Sequence, residues 1–409
     1  VTVNENTACT ETDIAASIME NDAKTLNQEF QAGSVTTVSI AHSVHDAYVA
    51  FLPPILPMLI EKFALSNTLA GLLTVFYRMP SLVQPYIGWI ADRVNLRWMV
   101  ILAPAITGAA MSFLSSTPTY GFAVFLLILA GISSATLHAT GPVLGSLLSG
   151  KYLGRGMSFW MVGGELGRAL GPLIIVTAVT YLTVERVPWL LLGGVLTSVF
   201  LFFKLDQIST QTIQPGAQID WRLGLLQLRK LMLPVAAISF LRYVTLTSLT
   251  TYLPTFLTHE GSTLWMAGFS LTILEVAGMG GAFLAGGLSD RFGRRRMLII
   301  SAITTPIFMV LFLYANANWK LPLLLLMGFS SLAVVPVLMA IVMENASEQR
   351  AFANGLYMAI SFVMESLTVI LIGLVSDRYD LRLTFLISAA AMPLLIPFVF
   401  LLPKSASRE

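Results

Sequence analysis

Twelve apolar segments, most near the length of a bilayer-spanning helix, leave this chain little else to fold with. They run over 35–60, 67–91, 97–116, 119–149, 157–182, 187–205, 231–257, 263–289, 297–316, 321–343, 353–376 and 383–403. A hydrocarbon core about 30 Å thick takes roughly 20 helical residues, because amides without water must be satisfied within the helix. Period-two alternation is missing, which excludes a closed β-barrel. Of the 409 residues 56% are apolar and 11% charged, against roughly a quarter charged in soluble domains. The expectation is an all-α membrane protein of twelve transmembrane helices, embedded in a lipid bilayer.

The polar remainder sets the organisation. Residues 1–34 hold Glu5, Glu11, Asp13, Glu20, Asp22 and Glu29 against Lys24 alone, which reads as a solvated tail and not a secretory signal. The expected divisions are that tail over 1–34, a six-helix bundle over 35–205, a linker over 206–230, a second bundle over 231–403 and a short end over 404–409. Basic residues are retained in the cytoplasm. An inside amino terminus leaves only Lys62, Arg186, Lys320, Arg378 and Arg382 in outer loops, so both termini are placed in the cytoplasm of a bacterial inner (cell) membrane.

Other classes fall away on composition. A formal charge of +2 with scattered basic residues argues against nucleic acid. Cys9 is the only cysteine, so no intramolecular disulfide and no cysteine-based metal site can form. The run Gly145-Ser146-Leu147-Leu148-Ser149-Gly150-Lys151 opens like a phosphate loop, but Tyr152 follows where Ser or Thr is needed. No cofactor is expected, and the energy source is expected to be a gradient.

Three landmarks recur about 200 residues apart. Pro53 matches Pro254 (254 − 53 = 201), Asp92 matches Asp290 (290 − 92 = 198) and Gly156 matches Gly355 (355 − 156 = 199). Each repeat holds six spans, so the halves face the same way, as in carriers with a midplane site between parallel halves.

The stretch Gly88-x-x-x-Asp92-Arg93-x-x-x-Arg97, repeated as Gly286-x-x-x-Asp290-Arg291-x-Gly293-Arg294-Arg295, resembles the signature between the second and third helices of the major facilitator superfamily. The first half narrows the likeness. Ser39 to Asp46, Gln84 to Gly88, Gly131 to Ser134 leading to His138, Gly154 to Ser158, and Gly163 to Gly167 followed by Gly171-Pro172 are together similar to the fosmidomycin-resistance branch of drug exporters. The resemblance implies proton-driven export. The motif also has its own physics: Asp92, Asp290 and the arginines Arg93, Arg97, Arg291 and Arg294 can latch helix ends until rocking parts them. Gly373-Leu374-Val375-Ser376-Asp377-Arg378 copies the pattern on the expected outer side, as an outer latch or a neutral loop.

Ionisable groups inside a span cost roughly 2.5–3.5 kcal/mol on insertion scales and are normally paired or face water. The first span carries His42, His45 and Asp46, one face of a helix at i, i+3, i+4. Asp46 is the favoured proton carrier with His42 or His45 tuning it. A buried structural cluster is the alternative, and a metal site using His42, His45 or His138 with Asp46 is a third, for which the spacing is acceptable but the oxygen and nitrogen set is incomplete. No metal ligand is therefore assigned. Glu165, Glu275 and Glu365 are further candidates for proton coupling. Arg78, Arg168 and Arg242 are the expected contacts of an anionic solute, with His138, Tyr77, Tyr243, Gln84 and Trp160 as other pocket candidates.

The expected function is secondary transport and not enzymatic: a proton-coupled exporter of a small anionic or amphiphilic compound such as an antibiotic, acting by alternating access as a monomer on a small-molecule substrate and protons. A proton symporter or a carrier of a metal or metal chelate is the alternative, and a membrane-embedded enzyme or sensor a more distant one.

Overall fold

The computed structural model describes residues 30–84, 86–87, 96–150, 152–205, 221–345 and 350–403. Among them every regular element is helical. In the first half α1 covers Ala32–Phe63, α2 Asn67–Arg78 with a 3₁₀ turn over Met79–Val83, and α3 Leu96–Ser112. Then α4 covers Tyr120–Ser149, α5 Leu153–Leu182 and α6 Leu191–Lys204. In the second half α7 runs from Trp221–Thr247 through a π turn, Ser248–Tyr252, into Leu253–His259. Next come α8 (Leu264–Phe292), α9 (Arg294–Tyr314) and α10 (Ala317–Leu332, resumed as Val334–Glu344). Last are α11 (Arg350–Arg378) and α12 (Leu381–Ala391, continued by Met392–Leu395 and Ile396–Leu401).

Ten of these helices are long and apolar enough to cross a membrane. The remaining two, α2 and α3, border residues 88–95, which lie outside the described set, as do the tail over 1–29, most of the linker and residues 404–409. Large apolar side chains such as Phe283, Leu233, Phe203 and Leu196 are exposed around the bundle. In water such a belt is costly; in lipid it is the expected outer face.

The repeat is visible in the backbone. α1 is interrupted at Ala50 and Phe51 just before Pro53, and α7 swells into its π turn just before Pro254. Proline removes a helical N–H and crowds the preceding turn, so both first helices lose their regular ladder at the same place in each half. The starts of α2, α4, α8 and α12 carry side-chain caps, in which Ser66, Thr119, Thr263 and Asp380 accept from the N–H three residues on.

Glycine decides the closest packing. Gly163, Gly167 and Gly171 of α5 lie against the carbonyls of Ser39, Ser43 and Ala47 on α1, so that a methyl on any of them would strike backbone. Toward the termini, the halves keep separate hydrophobic cores, one around Val38, Leu144 and Leu201 and the other around Val235, Leu338 and Val399. At the opposite end, hereafter the far end, the first half's core is also packed by Leu264 and Trp265 of α8. The molecule is thus closed at the far end and holds two independent cores toward the termini.

Candidate functional site

Between the halves lies a chamber of about 100 Å³. Tyr77 and Arg78 of α2, Arg168 of α5, Glu275 of α8 and Glu365 of α11 line it, with Val49, Ala50 and Pro53 at the break of α1 and Thr250 and Thr251 in the π turn of α7. Both proline-induced irregularities therefore face the same space, where freed backbone groups are tolerated only beside protein or water. Ligand pockets usually run to about 300–1,000 Å³, so the chamber must widen to take a drug-sized solute.

The charges here are mostly spoken for. Arg78 Nη2 lies 2.9 Å from Glu365 Oε1, an ion pair joining α2 of one half to α11 of the other. Arg168 pairs with Glu165 one turn away on the same helix. Glu275 has no ion-pair partner within 4 Å among the described residues, although Arg168, Glu165 and Arg78 surround it electrostatically. Two arginines face three carboxylates, and Glu275 is the surplus.

A second polar cluster sits inside the first half, behind the chamber wall. His42 Nε2 is 3.3 Å from Asp46 Oδ2 and 3.3 Å from His138 Nε2, and His138 Nε2 is 3.7 Å from Asp46 Oδ1. His42 lies flat on Trp160, with centroids 3.7 Å apart, and its Nδ1 is 2.9 Å from the Trp160 carbonyl. His138 Nδ1 is 2.9 Å from the Ser134 carbonyl, while Ser134 Oγ accepts from Tyr77 of the chamber. His45, equally buried, makes no hydrogen bond of standard geometry through its ring nitrogens. Gly164 is the floor of the cluster: a methyl there would meet His42 and Asp46 Oδ2.

The far end is tied by several contacts across the halves. The Asp377 carboxylate at the end of α11 accepts from Asn67 N at 2.6 Å, Thr68 N at 3.0 Å and Thr68 Oγ1 at 2.6 Å, so it caps the amino terminus of α2. The Tyr252 hydroxyl meets the carbonyls of Asn67 and Val369, and Trp265 Nε1 donates to Thr177 Oγ1. Gly71 and Gly373 make room there, since a side chain on either would run into Tyr252 or Thr68. None of Tyr252, Trp265 or Thr68 was singled out by sequence reasoning.

Several expected residues stand elsewhere. Arg242 is 2% exposed with its guanidinium over the Tyr243 ring, away from the chamber lining. Of the three arginines expected around one solute, Arg78 and Arg168 line the chamber and Arg242 does not. Trp160 and His138 belong to the histidine cluster, and Gln84 ends the 3₁₀ turn after α2 outside the lining. Of the motif residues, Gly88, Asp92 and Arg93 lie outside the described residues. Arg97 donates to the Phe202 carbonyl, tying α3 to α6. Arg294 reaches Asp290 at 2.6 Å and Glu344 at 2.7 Å within the second half, while Arg291 and Arg378 are exposed beside Phe292 and Tyr379.

The family model described as Major Facilitator Superfamily matches residues 38–291 and 271–409 of this chain. The fosmidomycin resistance protein of Escherichia coli K12 is 23% identical over 393 residues, covering 95% of this chain and 97% of that protein. The uncharacterized MFS-type transporter YfnC of Bacillus subtilis is 23% identical over 384 residues, covering 90% and 92%. Among solved structures, a D-xylose-proton symporter aligns with a TM-score of 0.75 at 16% identity, covering 93% of this chain and 99% of that one. The xylose transporter XylE of E. coli in an inward open conformation aligns at 0.73 and 14%, covering 93% and 98%.

Proposed function

Because the chain belongs to the major facilitator superfamily, we propose that it is a proton-coupled exporter that exchanges inward protons for a small anionic or amphiphilic solute across a bacterial inner membrane. It acts as a monomer with both termini in the cytoplasm. The fosmidomycin resistance protein of E. coli, alike over nearly the whole length of both chains, supports export. With the termini inside, a molecule closed at the far end is poised to load from the cytoplasm.

The observation that carries the reading is Glu275. A carboxylate in the chamber with no ion-pair partner binds either a proton or a donor group of the solute, and not both, which is the competition an antiporter needs. Arg78 and Arg168 are held by Glu365 and Glu165. An anionic group on the solute reaches them by displacing those carboxylates. Breaking the Arg78–Glu365 pair also loosens the halves, since it bridges α2 and α11. Asp46 stands between two histidines away from the lining, so the coupling falls to Glu275.

A second reading rests on the same bridge. A proton on Glu365 would release Arg78 to hold an anion, which loads proton and solute together as a symporter does. Overproducing the protein and screening tolerance to fosmidomycin and other antimicrobials identifies the solute. In proteoliposomes, a gradient acidic on the side into which the protein exports solute should not drive accumulation there under symport, whereas exchange concentrates solute on the acidic side. Accumulation on the alkaline side would overturn export by exchange.

A further inference from the structure

The histidine cluster has a geometry that a proton carrier does not need. We propose that His42, Asp46 and His138 bind a divalent transition-metal ion of the zinc class, with a fourth position reached past His138. The ligand atoms of all three residues lie within 4.8 Å of one another. Metal–nitrogen and metal–oxygen bonds of about 2.0–2.2 Å at a tetrahedral angle put neighbouring ligands about 3.3–3.5 Å apart. The two histidine Nε2 atoms are 3.3 Å apart, and the Asp46 carboxylate meets them through different oxygens, Oδ2 at 3.3 Å from His42 and Oδ1 at 3.7 Å from His138. The histidine pair already stands at the tetrahedral edge, and a turn of the carboxylate brings one of its oxygens to the same ion.

The outer partners point the same way. A carbonyl oxygen only accepts, so the hydrogen-bonding Nδ1 of His42 toward Trp160 and that of His138 toward Ser134 each carry the hydrogen. In the neutral rings both Nε2 lone pairs then face each other beside a carboxylate. That arrangement calls for a cation between them, and Nδ1–H to carbonyl is the usual way a ligating histidine is oriented. The Trp160 ring fixes the plane of His42, and Gly164 leaves room on the α5 side. His42 and Asp46 are 4% exposed, whereas the His138 side chain is 35% exposed, so an ion can enter and exchange on that side. Two helices far apart in sequence, α1 and α4, supply the ligands, which is why His-His-Asp spacing along α1 alone is incomplete as a site.

The site does not depend on Glu275 or on exchange with protons, and its test reads neither. The purified full chain in detergent, stripped of metal, is titrated with Co²⁺ and then with Zn²⁺. The expected result is one Co²⁺ per chain with the visible absorption of a four-coordinate nitrogen–oxygen site, displaced by Zn²⁺. His138→Gln, at the half-exposed ligand, and His42→Gln should each weaken binding by more than the roughly 10–100-fold that loss of an outer partner costs. His259→Gln, at an exposed histidine outside the cluster, should bind as the parent does. Titrating Zn²⁺ alone and Zn²⁺ premixed with citrate tells a bare ion from a chelate, and saturation in either arm that is lost in His138→Gln supports the site. A parent protein with no saturable Co²⁺ or Zn²⁺ binding, or a folded His138→Gln variant that binds like the parent, overturns it. A proton held between the nitrogens in place of metal produces no cobalt spectrum.

Discussion

Removing the Asp377 carboxylate should open the far end without disturbing either bundle. In Asp377→Ala three hydrogen bonds to Asn67 and Thr68 are lost at once. Hydrogen bonds to a charged group are worth about 1.5–3 kcal/mol each when well shielded. Asp377 is exposed, and water takes over much of that, so the scale is set by loss of a helix cap, about 0.5–2 kcal/mol. The contact crosses the halves and exists only while the far end is shut. Its whole value, about 0.5–2 kcal/mol, therefore weighs on one conformation, and the population open at the far end should rise about 2–30-fold relative to closed. The assay is a spin-label distance measurement between Pro118→Cys and Asn316→Cys, exposed positions on far-end loops of the two halves, with Cys9 replaced. A long-distance component that grows in Asp377→Ala supports the latch. An unchanged distance distribution, in a variant whose helicity and thermal unfolding match the parent, would refute the reasoning.

Two other perturbations follow from the same geometry. Arg78→Gln or Glu365→Gln alone should destabilise the protein and abolish solute-driven closure, by about 1–3 kcal/mol given that the arginine is partly exposed, while the doubly exchanged variant should recover part of the thermal stability; full additivity of the two single losses would show that the pair does not interact. Gly167→Ala, whose methyl would strike the Ser43 carbonyl, should lower the unfolding midpoint by the equivalent of about 1–3 kcal/mol, whereas Gly280→Ala meets nothing within 4 Å and should be near neutral or stabilising, and equal midpoints for the two would contradict the packing.

The fold was readable because membrane helices announce themselves by length and composition, and because Pro53 and Pro254 mark equivalent breaks in the two halves. The chamber was half readable. Arg78, Arg168, Glu275 and Glu365 stood out as charges in apolar spans, and the i,i+3 spacing of Glu165 and Arg168 encodes one pair, yet no local spacing encodes the Arg78–Glu365 bridge between α2 and α11 that leaves Glu275 over. Arg242 shows the same limit: a buried arginine looks alike in sequence whether it lines the chamber or, as this one does, stands outside the lining over a tyrosine of its own half. His42 and Asp46 were legible as an i, i+4 pair, but His138 joins them from 92 residues beyond Asp46, a contact that depends on the α1–α5 glycine stripe bringing Trp160 and Gly164 into place. The far-end closure was legible only at Asp377, through the third copy of the motif; the backbone amides it caps and the Tyr252 hydroxyl carry no sequence signal.

The most direct measurement of the central claim is coupled flux in Glu275→Gln. In proteoliposomes carrying a pH-sensitive dye, with fosmidomycin as the first solute and then any compound the tolerance screen identifies, the parent protein should move protons against solute. The Gln variant, of nearly the same shape but unable to gain or lose a proton, should still exchange solute for solute while a pH gradient no longer drives accumulation. Gradient-driven accumulation at the parental rate in Glu275→Gln would contradict the account.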